Sequence, residues 1–95
     1  MDTNQRFGTP LAGGSVTVAY TGTAGTTAAL PADCRCVRVL CTTAAFIEIG
    51  SAPTAVANTG MYMPAGIPEY FQCGPNAKVS AIQAAAGGSV YVTPF

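Results

Sequence analysis

The chain has 95 residues with four basic and four acidic side chains, so 8% are charged and 49% hydrophobic, at zero net charge. Soluble proteins ordinarily carry about 25% charged residues; this surface must therefore rely on Thr, Ser, Asn, Gln and Gly, or be covered by other molecules. No Lys/Arg cluster offers a site for nucleic acid or anionic lipid, no apolar run reaches the roughly 20 residues of a membrane helix, and the length is that of one domain.

Residues 1–14, MDTNQRFGTPLAGG, show no period of 2 or 3.6 and are read as an N-terminal arm. Met1–Arg6 has no basic stretch leading into an apolar one, so no secretory signal is expected. The arm is either a frayed terminus or a segment that orders on a neighbour, with Phe7 and Leu11 as its anchors. Residues 15–95 are expected to form the folded domain.

Ser15–Tyr20 alternates with Val16, Val18 and Tyr20 on one face, the pattern of a half-buried strand. Thr21–Ala32 is small and turn-rich, with room for a short strand near Thr26–Leu30. Cys36–Gly50 reads as a hairpin around Thr42-Thr43-Ala44. That register puts Val37, Val39, Cys41, Ala45, Ile47 and Ile49 on one inner face and sets Arg38 opposite Glu48 on the outer one. Ser51–Gly60 is a long connection with an extended piece expected at Thr54–Ala57.

Met61–Gln83 reads as three short strands separated by the turns Pro64-Ala65-Gly66 and Gly74-Pro75-Asn76. Pro64, Pro68 and Pro75 would each interrupt a helix. Met61-Tyr62-Met63 suits a contact surface, two adaptable thioethers around a Tyr, or equally a core strand. Ser89–Thr93 closes the chain as a strand with Val90 and Val92 inside. Seven or eight short strands between turn signals predict an all-β chain folded as one small sandwich or barrel.

The inventory for catalysis is thin. Histidine is absent, and no local spacing places a second carboxylate beside Asp33, Glu48 or Glu69. No catalytic residue and no cofactor are assigned, and the chain is not read as an enzyme. A zinc site from Cys34, Cys36, Cys41 and Cys73 lacks the usual ligand spacing, since Cys34 and Cys36 are too close and Cys73 stands alone. In a reducing compartment the four are expected to be thiols filling the core, with no metal.

With those elements in place, the segment from Val37 through Val92 resembles a group of small virion proteins of tailed bacteriophages. The likeness lies in a cadence, here Val37-Arg38-Val39, Ile47–Ala55, Met61–Phe71, Gly74–Gln83 and Gly88–Thr93. It leaves out the first 35 residues and the cysteines. The resemblance implies a jelly-roll-like β-sandwich acting as a homo-oligomer, a trimer before a dimer, on the capsid exterior of a virion. Its partner would be the major capsid protein, and its role decoration or cement: bridging capsomers and stabilising the head shell. Phe7, Leu11, Met61, Tyr62 and Met63 are the expected interface residues. The alternative is a head-fibre or tail-associated module that binds a receptor or glycan, which a concave aromatic groove would mark.

Overall fold

A computed structural model of the chain describes residue 11 and residues 14–95. These form strands β1 (Val16–Tyr20), β2 (Gly25–Thr26), β3 (Cys36–Cys41), β4 (Ala45–Gly50), β5 (Met61–Met63), β6 (Glu69–Gln72), β7 (Lys78–Gln83) and β8 (Gly88–Pro94). No helix occurs among the described residues. Two four-stranded antiparallel sheets result, in the orders β1-β8-β3-β6 and β2-β7-β4-β5, packed together as a small β-sandwich.

The pairing has a simple logic. Each strand of the first half lies antiparallel to one of the second: β1 on β8, β2 on β7, β3 on β6, β4 on β5. The chain thus doubles back once, through the connection 51–60, and the two-ply ribbon is wrapped so that β3 also meets β8 and β4 also meets β7.

Period-2 alternation fills the space between the sheets. Val37, Val39, Cys41, Val90 and Val92 come from one sheet, and Ala45, Ile47, Met63, Val79 and Ala81 from the other; all are buried. Ile49 packs at the margin of this core. The strand expected at Thr26–Leu30 does run beside β7, with Thr27 N–H on Val79 O at 2.9 Å and Leu30 N–H on Ala77 O at 2.8 Å, although ladder pairing is confined to Gly25–Thr26. No strand forms at Thr54–Ala57. That segment instead lies over the outer face of the second sheet, where Ala55 N–H donates to Ser80 Oγ at 2.9 Å. Gly66 has φ +73°, as a Pro-x-Gly turn requires, and Asn76 takes the same left-handed role at φ 59° in the second turn.

The Cys36–Gly50 hairpin is overturned. β3 and β4 belong to different sheets; Arg38 lies opposite Tyr70 and Thr93, and Glu48 opposite Ser80. The residues Thr42-Thr43-Ala44 form an arch from one sheet to the other. The same inner-face residues, Ile49 at the margin excepted, are buried, because an arch directs them at each other across the core where a hairpin would set them side by side. A three-residue hairpin loop commonly needs one left-handed residue, and Thr42, Thr43 and Ala44 all have negative φ.

The arch is fastened on several sides. Tyr20, at the end of β1, donates its hydroxyl to Thr43 O at 2.5 Å and accepts Thr43 N–H at 3.2 Å. Ser89 N–H donates to Thr42 Oγ1 at 2.9 Å, and Thr42 N–H returns a bond to Ser89 O at 3.0 Å. Thr43 Oγ1 donates to Ala86 O at 2.9 Å. A Cβ at Gly88 would stand 2.5 Å from Thr43 Oγ1 and 2.6 Å from Thr42 Oγ1, so only glycine lets the β7–β8 turn approach this closely.

Candidate interaction surface

β5 and β6 are each the last strand of a sheet, and they are consecutive in the chain. Together with the connection 64–68 they make one side of the sandwich. Six large apolar side chains are exposed among the described residues, and four of them lie here: Met61, Tyr62, Ile67 and Tyr70, each 46–55% exposed. Val56 and Tyr91 are the other two.

Register explains how each is presented. Met61 and Met63 share the inward parity of Ile47 and Ala45, while Tyr62 lies outward beside Phe46. The Phe46 and Tyr62 rings meet edge to face at 5.5 Å, which fixes the tyrosine as an exposed platform. Tyr70 stands on the outer face of the other sheet, with its ring 6.1 Å from that of Phe95. Ile67 projects from the turn, whose Gly66 N–H is held by Cys41 O at 2.8 Å. Both edge strands are short, at three and four residues, which limits strand addition from another chain. Side chains, more than backbone, are what this side offers.

The expected interface residues therefore separate. Met61 and Tyr62 are on the surface; Met63 is 1% exposed and is a core residue, because its inward parity places it over Ala45. Leu11 packs partly buried against the protein's own core, with its N–H on Pro94 O at 2.9 Å. Gly14 is wedged against Pro31 and Pro94. This stretch of the expected arm is thus seated on its own sandwich. Phe7 lies outside the described residues. Ile67 and Tyr70 were not singled out from sequence; a β-branched apolar residue between Gly66 and Pro68, where turns favour polar side chains, was the available signal.

A shallow groove of about 420 Å³ crosses the outer face of the first sheet, lined by Ser15, Val16, Arg38, Leu40, Tyr91, Val92 and Thr93. It holds one aromatic ring and one cation. Asp33, Glu48 and Glu69 fall respectively before β3, on β4 and on β6, so the fold distributes them over a connection and both sheets.

The cysteines are thiols, and the structure corrects their grouping. Cys34 precedes β3 and belongs to the core cluster. Its Sγ lies 3.2 Å from that of Cys73, which the sequence had left alone. Burial, the Cys34 hydrogen bond and the neighbouring Cys34 and Cys36 thiols push the Cys73 thiol up to about 12. Cys41 sits five residues along β3 from Cys36, roughly 16 Å at the strand rise. Its thiol is also pushed up, by burial, against a hydrogen bond to Tyr20 that lowers it. No group of three or more potential metal ligands is assembled among the described residues, and these include no helix long and apolar enough to cross a membrane.

No family model matches the chain, and neither a curated protein nor a solved structure does.

Proposed function

We propose that this chain is a decoration, or cement, protein of a tailed bacteriophage capsid, a homo-oligomer that bridges capsomers and stabilises the head shell. The observation that carries the assembly reading is the β5–β6 side: Met61, Tyr62, Ile67 and Tyr70 stand half-exposed together on a chain with eight charged residues. Apolar side chains flanking one side are what a protein–protein contact buries. The capsid setting comes from the cadence shared with small phage virion proteins. The strand orders β1-β8-β3-β6 and β2-β7-β4-β5 support a jelly-roll winding, an architecture common among viral capsid proteins.

In this reading the β5–β6 side packs on an identical subunit, a trimer matching local three-fold positions of a capsid lattice. The other exposed surface meets the major capsid protein. Each bridge hides apolar surface on both partners and so opposes the outward pressure of packaged DNA. The glycan-binding alternative has less support, because the groove on the first sheet presents only Tyr91 as an aromatic platform.

Two measurements test the proposal. Sedimentation of the purified protein should show an oligomer. Quantification in purified particles should show copies in numbers comparable to the major capsid protein. A monomer at high concentration removes the assembly reading. Copies confined to one vertex or the tail transfer the chain to the alternative.

A further inference from the structure

The end of the sandwich opposite the arch brings two thiols from distant parts of the chain close together. Cys34 is completely buried, and its Sγ lies 3.2 Å from the Sγ of the half-buried Cys73. The backbone holds the two segments in place, with Cys73 N–H on Arg35 O at 3.1 Å and Cys36 paired with Gln72. Closing that gap to a disulfide bond of roughly 2.0 Å asks for little more than about 1 Å of side-chain movement.

We propose that Cys34 and Cys73 are a redox-closable pair, joined by an intramolecular disulfide when the folded chain meets an oxidising pool of small-molecule disulfide. The inference stands apart from the capsid proposal and needs only passage from a reducing to an oxidising compartment. Cys73, the more accessible thiol, reacts first. Its thiolate attacks one sulfur of the external disulfide and expels one thiolate, leaving a mixed disulfide on Cys73 Sγ. The Cys34 thiolate then attacks Cys73 Sγ and expels the second. Two protein thiols lose two electrons and two protons, and one external disulfide gains both to become two thiols. The high pKa of Cys73 keeps its thiolate scarce near neutral pH, so closure is slow.

The bond would tie the entry to β3 to the exit from β6. That matters because β6 is an edge strand whose single strand partner is β3. The link closes a loop of about 40 residues, which constrains the unfolded chain more than a short loop would. The reduced form is assembled by hydrogen bonds and packing, and the oxidised form gains a staple on an edge strand.

The test treats the full, folded chain with oxidised glutathione at mildly alkaline pH and counts thiols after denaturation. The reduced protein should yield four thiols and the treated protein two, with one linked peptide pair containing Cys34 and Cys73. Its Tm should rise by roughly 10 °C or more, and a reductant should reverse the shift. Cys73→Ser, at a partly exposed position, should keep its remaining three thiols under the same treatment; Cys34→Ala provides a second variant should the first fail to fold. Retention of four thiols overturns the proposal. So does a disulfide mapped to any other pair or between chains, a stable glutathione adduct on Cys73, or a Cys34–Cys73 link that leaves Tm unchanged.

Discussion

At the arch, every connection from an odd to the next even strand reaches a neighbour through a hydrogen bond, whereas the β5–β6 side leaves its largest side chains in water. Tyr20, Thr42, Thr43 and Ser89 satisfy one another across β1, the arch and β8. Met61, Tyr62, Ile67 and Tyr70 remain half-exposed, although Tyr62 touches the Phe46 ring and Tyr70 that of Phe95. The first region spends its polar groups on holding the monomer together. The second contributes little to the monomer and is available to hold something else. A small domain with a modest core can separate the two tasks because a wrapped ribbon gathers its crossings at one end and leaves its edge strands along a side.

The comparison breaks most visibly at Tyr20. Truncation by Tyr20→Ala removes a buried ring and the anchor of the arch, and should cost about 3–5 kcal/mol in chemical denaturation. Tyr20→Phe keeps the ring and leaves Thr43 O without its donor, for about 1–3 kcal/mol. Gly88→Ala forces a methyl between the two threonine hydroxyls and should cost about 1–3 kcal/mol. A Tyr20→Phe protein as stable as the parent would mean that the arch is held by packing alone.

The opposite result is expected on the β5–β6 side. Met61→Ser and Ile67→Ser truncate apolar side chains that are already half-exposed, so unfolding should shift by no more than about 0.5 kcal/mol. Self-association measured by sedimentation should nevertheless weaken about tenfold or more, or at least about 1.4 kcal/mol. Unchanged association would move the subunit contact elsewhere on the molecule.

The thiols add a pH dependence to the reduced protein. The Cys73 thiol is raised from 9.0 to about 12 on folding, so the unfolded chain ionises first as pH rises. The stabilisation is whole below pH 9.0 and is lost progressively as pH climbs toward the folded value. Denaturation midpoints of reduced protein should fall above pH 9, and less so in Cys73→Ser. A flat profile through that window would show Cys73 to be better solvated when folded than its surroundings indicate.

Strands, faces and turns were legible in the sequence because each is a local property. Val37, Val39, Ile47, Val90 and Val92 are buried as their alternation requires, and Gly66 takes the conformation that its turn needs. Pairing was not legible, since alternation is satisfied equally by a hairpin and by an arch. The loop Thr42-Thr43-Ala44 did carry a warning: it contains no Gly or Asn to take the left-handed position. The Cys34–Cys73 contact, 39 residues apart, has no local signal at all. Met63 shows the remaining gap, for in Met61-Tyr62-Met63 only the choice of partner strand decides which thioether is covered.

The smallest expected effect bears on that same choice of pairing. In a hairpin, Arg38 and Glu48 would be direct cross-strand neighbours, and an exposed pair of that kind couples by about 0.2–1 kcal/mol. In the arch they point away from each other on the outer faces of two sheets about 10 Å apart, and Arg38 instead lies between Tyr70 and Thr93. A double-mutant cycle with Arg38→Gln and Glu48→Gln should therefore be additive to within about 0.3 kcal/mol. Performing it at low salt makes the test stricter, because screening would hide a weak attraction at ordinary ionic strength. Coupling that is favourable, exceeds that margin and fades as salt is added would place the two charges side by side. It would return β3 and β4 to one sheet, and the ribbon winding would fail with it, since β3 could not then lie between β8 and β6.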